Sequence, residues 1–305
     1  MGRTILLCLA AFAGLAEPAF AQSQPAPPAA TTENAVQAAW AAARQTAILG
    51  PAKIKLLDQG MLAIPAGDVF IPAAEANRIM EAMGNSSSQS RFGLIVSRKD
   101  QDLWMVDVGW IKEGYVRDGD AKDWKPDALL STLKDNTEQD NTGRQARGLP
   151  ALDILGWAQA PVYDAAAHRL VWSMRLKERG APENLPQVIN YNTYALGRDG
   201  YFSLDLITDS AHLAADRGVA SQLLGTLNFV PGKRYQDFNQ STDKVAAYGL
   251  AALVGVVAVK KLGLLAMAGV FLLKVWKLGL IAIAGAAAGV RKFFGRKNAD
   301  EDMTA

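Results

Sequence analysis

The chain has 305 residues, half of them hydrophobic, with a formal charge of +2, two histidines and one cysteine. The single cysteine, Cys8, sits in an apolar leader, so the processed chain has no disulfide, thiolate nucleophile or cysteine-ligated metal, and two histidines exclude a three-histidine site. Gln22 to Lys244 carries 23 basic and 26 acidic side chains, Val245 to Ala305 eight basic and three acidic, so the body lacks the basic face that nucleic acid needs and the basic end points to lipid headgroups.

In chain order, Arg3 precedes the apolar run Ile5 to Leu15, and Ala19-Phe20-Ala21 offers small residues for signal peptidase, so residues 1–21 read as a signal peptide. Leu7 before Cys8 is too large for a lipoprotein cleavage site. Residues 22–32, rich in Pro and Ala, read as a disordered leader. Thr32 is placed to cap a helix from Glu33 to Leu49, docked by Trp40 and stopped by Gly50-Pro51. Strands are expected over Lys53–Leu57, Met61–Ile64, Phe92–Ser97 and Leu103–Ile111, with a helix over Ala73–Met83 closed by Gly84-Asn85.

A second helix is expected to start near Trp124-Lys125, with Pro126 in its first turn, and to run to Arg147 with a break around Asn136 to Thr142, ended by Gly148 and Pro150. Two hairpins follow. Leu152–Ala160 pairs with Arg169–Lys177 across Tyr163 to His168, and Val188–Leu196 pairs with Tyr201–Thr208 across Gly197-Arg198-Asp199-Gly200. A last helix, Asp209–Leu227, carries Leu213, Val219, Leu223, Leu224 and Leu227 toward the core behind an Asp cap. The fold class is α+β, an antiparallel sheet of hairpins with packed helices, followed by a C-terminal α-helical membrane anchor. Residues 33–242 form one periplasmic domain, 243–297 the transmembrane or membrane-interface anchor, and 298–305 a cytoplasmic tail.

The anchor reading rests on three apolar segments, Val245–Val259, Leu262–Leu273 and Leu278–Val290, separated by Lys260/Lys261 and Lys274/Lys277 and closed by Arg291/Lys292. A span running through Lys260 and Lys261 would bury two charges at roughly 2.5 to 3.5 kcal/mol each, so the pair is expected to end a first span on the cytoplasmic side. One crossing, three very short ones, or one crossing followed by interfacial helices all satisfy the basic clusters. Lys260, Lys274, Lys277, Arg291, Lys292 and Arg296 share an arc of about 140° at helical phase, as an interfacial helix would need. Gly285 and Gly289 have small-residue spacing that lets membrane helices approach. The expected partners are the bilayer and either a second copy or another envelope protein. No cofactor is expected.

Gly114-Tyr-Val-Arg-Asp-Gly-Asp-Ala-Lys-Asp123, Arg147-Gly-Leu-Pro-Ala-Leu152, Gly156-Trp157, Asn190-Tyr-Asn192, Gly197-Arg198 and Ser241-Thr-Asp-Lys-Val-Ala-Ala-Tyr-Gly249 resemble the membrane-anchored bacterial proteins grouped as domain of unknown function 2167. The resemblance implies an exported domain on a C-terminal anchor, with no activity or ligand to carry over. The order of hairpins and terminal helix is also similar to the small α+β fold of the photosystem extrinsic subunits, which says nothing of function.

Candidate chemistry is sparse. Asp118, Asp120 and Asp123 resemble half a calcium loop but lack its ligand order and read as a solvated turn. His168 in a hairpin turn and His212 in a first helical turn read as surface residues without a nucleophile elbow. Glu113, Arg117, Asp120 and Arg147, with Arg144, flank the family-like stretches and are the candidate polar cleft. Trp104, Trp110, Trp124, Trp157 and Trp172 read as core and cross-strand packing, with a glycan- or peptide-binding surface as the other option. Two functions remain: a non-catalytic binding or scaffolding module of the cell envelope, or a hydrolase using paired carboxylates such as Glu113 and Asp120.

Overall fold

The computed structural model describes residues 29–254 apart from 84, 86, 100–101, 147–149 and 183. The signal peptide, most of the leader, Arg147 and the chain beyond Val254 therefore lie outside the described residues. Eight strands form one antiparallel sheet in the order β1 (Ile48–Leu49), β4 (Asp68–Pro72), β5 (Arg91–Ser97), β6 (Met105–Ile111), β11 (Tyr201–Asp209), β10 (Val188–Leu196), β9 (Arg169–Glu178) and β8 (Leu152–Asp164). Both expected hairpins are present, and β10 and β11 lie at the centre with nearly every residue buried.

The back face of this sheet packs against a smaller sheet, β12 (Leu227–Phe229), β3 (Gly60–Ile64) and β2 (Ala52–Leu56), and against helix α4 (Leu213–Thr226). Phe202, Leu204, Leu206, Val106, Val108 and Trp110 make that core. The front face is covered in two places. At one end, α1 (Ala29–Thr46) and α2 (Ala73–Ala82) cover Ile71, Leu94, Met105 and Ile207. At the other, α3 (Pro126–Ala146), β7 (Tyr115–Arg117), β13 (Val245–Gly249) and α5 (Leu250–Val254) cover Trp172, Met174, Leu176, Tyr194 and Tyr201. Trp104, Trp110 and Trp172 are core residues, and Trp40, Trp124 and Trp157 pack at its margins.

Several expectations are corrected. Helix α1 starts at Ala29 and stops at Thr46, because Ile48 and Leu49 pair with Phe70 and Val69 of β4, a strand the sequence pattern does not announce. At Gly93 of β5 an added Cβ would stand 2.2 Å from the Ile71 carbonyl oxygen, so only glycine lets β4 and β5 close. Helix α3 runs unbroken through Asn136 to Thr142: Leu133, Thr137 and Asn141 are its buried stripe, at i, i+4 and i+8. Asn141 also exchanges two hydrogen bonds with the backbone of Leu152, accepting at 2.8 Å and donating at 2.9 Å, which seals the start of edge strand β8. Helix α4 begins at Leu213, since Asp209 spends its carboxylate on the Ala211 and His212 N–H groups of the preceding turn.

The largest correction concerns Val245–Val259. The domain does not end at 242. Residues 245–249 form β13, parallel to β7, and Leu250, Leu253 and Val254 are fully buried in the front-face core, so ten residues expected to open a membrane span are structural members of the domain. No helix among the described residues is long and apolar enough to cross a membrane.

Candidate functional site

Side chains alternate along β10 and β11. Positions 190, 192 and 194 and positions 201, 203, 205 and 207 point to the front face, opposite Met174 and Trp172 of β9 and Asp107 of β6. Between the two apolar clusters this places a strip of Trp172, Asn190, Asn192, Ser203, Asp205, Asp107 and Arg91, crossing five strands over about 19 Å. The strip is polar yet enclosed: Asn190, Asn192, Ser203 and Asp205 are each 3% exposed.

One end is well satisfied. Arg91 grips Asp107 with two 2.9 Å hydrogen bonds and reaches Asn77 of α2, whose amide also brackets the Ser88 backbone. The other end is not. The Trp172 indole N–H and the Asn190 side-chain carbonyl have no hydrogen-bond partner among the described residues, and the Tyr201 hydroxyl meets Tyr248 without a well-aligned bond. Burial, helped by the Asp205 carboxylate, pushes the Tyr194 and Tyr201 phenols upward, so both stay protonated. Trp172 stands edge-on between Trp157 and Tyr194, with ring centres 6.3 and 6.5 Å away.

The residues expected to form a cleft are distributed differently. Asp120 accepts the Leu250 and Ala251 N–H groups, both at 3.0 Å, and so caps α5. Glu113 is half-buried in the β6–β7 turn near Tyr201 and Tyr248, and Arg117 is exposed on β7. Asp118 accepts the Tyr163 hydroxyl at 2.8 Å, and that oxygen lies 3.2 Å from His168 Nδ1. Burial and Asp118 together raise the Tyr163 phenol. His168 stacks on Tyr235, then Tyr115 and Phe238, in an aromatic column with spacings of 4.1, 4.4 and 3.8 Å. His212 faces its own turn residue Asp209 at 2.9 Å. Among the described residues no three His, Cys, Asp or Glu side chains gather around a point that would hold a metal.

Two motifs noted separately in the sequence meet here. Arg198, in the β10–β11 turn, makes a bidentate pair with Asp243 at 2.6 and 2.7 Å, and this guanidinium holds the Asp243 carboxyl well below the usual carboxylate range. Residues 48–284 match the model of a family described as protein of unknown function (DUF2167). The chain belongs to that family. No curated protein matches this DUF2167 member. Among solved structures it is similar to cyanobacterial PsbP (CyanoP) from Synechocystis sp. PCC 6803, at 8% identity over 59% of this chain and 92% of that one, with a TM-score of 0.34. It is likewise similar to the Saccharomyces cerevisiae Ran-binding protein Mog1p, at 11% identity over 63% of this chain and 100% of the other, with a TM-score of 0.34.

Polar residues at every second position of a strand are the pattern of a solvated face, so the sequence alone does not announce the strip. The available signal was their concentration on the two strands of the central hairpin, Asn190, Asn192, Ser203 and Asp205.

Proposed function

We propose that this protein is a non-catalytic binding module of the cell envelope, held at the inner membrane by its C-terminal segment, and that the buried polar strip receives a small hydrogen-bonding ligand. The observation that carries this reading is the pair of unpartnered groups, the Trp172 donor and the Asn190 acceptor, on adjacent strands. Each costs about 1–3 kcal/mol when buried alone, a cost that apolar residues of similar shape would remove. The competing hydrolase reading is disfavoured, because one carboxylate of its pair, Asp120, accepts two backbone N–H groups as the cap of α5.

Asn190→Leu tests the site. The variant should fold with an unchanged or higher Tm, since it replaces a buried amide whose carbonyl has no partner by an apolar group. Native mass spectrometry of the full chain, purified from its own membranes, should show a small-molecule adduct on the wild type and none on the variant. Wild-type protein that is bare, with a mass equal to the chain alone, overturns the reading.

The location is proposed as an exported body with a cytoplasmic C-terminal end, in contact with the bilayer and with a second copy or another envelope protein. Support comes from the leader, from the basic clusters around Lys274, Lys277, Arg291 and Lys292, and from the acidic body, which disfavours nucleic acid. The place of Lys260 and Lys261 changes, however. Val254 is buried in the domain, and six residues of extended chain reach at most about 22 Å, less than the ~30 Å hydrocarbon core. We place the lysine pair on the domain's side, with bilayer contact beginning after it. In a chain whose only cysteine is in the leader, Lys261→Cys should react with an impermeant maleimide from the periplasmic side of the membrane. Labelling from the cytoplasmic side alone would restore the earlier placement.

A further inference from the structure

The segment joining the domain to its tail is wedged against the aromatic wall of the polar strip. Its entry is fixed by backbone: Tyr115 N–H donates to the Lys244 carbonyl at 2.8 Å, and Gly114, at φ +95°, leaves room where a Cβ would lie 2.5 Å from that oxygen. Strand β13 then pairs with β7 at only two register positions, Val245 with Tyr115 and Gly249 with Arg117, in a two-stranded parallel ladder with an irregular register. Such a ladder holds little by itself. The next fastening is Asp120, whose carboxylate takes the first N–H groups of α5 across a gap of 130 residues in sequence. Gly249 makes that contact possible, because a Cβ there would stand 2.6 to 2.9 Å from the carboxylate atoms. Beyond it, Leu250, Leu253 and Val254 share one core with Trp172, Tyr194 and Tyr201, and Tyr248 lies against the Tyr201 phenol.

We propose that residues 245–254 form a strap, latched by Asp120, whose seating sets the Trp172–Tyr194–Tyr201 wall of the polar strip and whose release opens that wall. The strap continues directly into the tail, so anything that engages the tail pulls on this latch. The proposal gives a regulation to the site described above and rests on that reading for its purpose, but its mechanics do not need a ligand.

Hydrogen exchange of the full chain in detergent, without added ligand, tests the mechanics. Asp120→Ala should raise exchange at least tenfold over 245–254 and over 192–203, while 69–72 and 93–96, under α1 and α2, stay protected. Gly249→Ala is the graded variant, since it displaces the same carboxylate and leaves it present; it should move both segments in the same direction by less. If Asp120→Ala loses protection everywhere, the Gly249→Ala pattern decides. Faster exchange in the strap with none in 192–203 means that the two are uncoupled, and unchanged exchange in the strap means that Asp120 is no latch; either overturns the proposal. A missing adduct in the mass-spectrometric test would remove the ligand and leave this exchange pattern standing.

Discussion

A chain ending at Thr242 will lose the packing of the front face around Trp172, and a chain ending at Val254 will keep it. The shorter chain lacks Leu250, Leu253 and Val254, each fully buried, together with Ala246. At about 1.5–3 kcal/mol for each of the three large side chains, their burial is worth roughly 4.5–9 kcal/mol, which is of the same size as the whole net stability of a typical domain, about 5–15 kcal/mol. The deletion also uncovers Tyr194, Tyr201 and Trp172 and strips Arg198 of Asp243 and Asp120 of the two N–H groups that it caps. The expected outcome for the 242 chain is a loosened front face, with weakened near-ultraviolet circular dichroism and a markedly lower and broader melt. The 254 chain should melt cooperatively. Equal cooperative transitions within a few degrees of one another would show that the strap is dispensable.

Arg91→Met should cost about 3–5 kcal/mol, since it leaves Asp107 enclosed without its partner, opposite Asp205 in register. For a domain of this size that corresponds to a fall in Tm of roughly 6–20 °C. It also removes the hydrogen bond that Arg91 gives Asn77, loosening α2 from the sheet. The double variant Arg91→Met with Asp107→Leu should recover most of the loss, because a buried ion pair replaced as a whole by apolar groups is often neutral. Urea unfolding with unchanged m-values would measure both. A double variant as unstable as the single one would mean that Arg91 acts through its stem packing and its bond to Asn77 and not through charge.

What was legible in the sequence follows from short-range physics. The two hairpins, α2, α4 and most strands were readable because turn residues and apolar periodicity act within a few residues of one another, as at Gly197 to Gly200 between β10 and β11. The α+β class followed from the order of these elements. Boundaries failed where a distant partner decides them. Ile48 and Leu49 look like the end of a helix until β4 offers them a ladder, and the polar stretch of α3 looks like a break until Asn141 finds Leu152.

The same limit governs the candidate site. Asp120 reads locally as one carboxylate in a turn, and only the return of the chain 130 residues later turns it into a helix cap. Val245 to Val254 has a composition that suits a bilayer or a protein core equally well, because both reward apolar area. The choice depends on whether Tyr194, Tyr201 and Trp172 need covering, and that is a property of the assembled sheet. Asn190, Asn192, Ser203 and Asp205 alternate as a solvated face would. Local sequence determines only that they share one side of the hairpin; the helices packed on either flank of the sheet decide that this side is enclosed, which makes the unmet hydrogen bond of the Asn190 carbonyl costly.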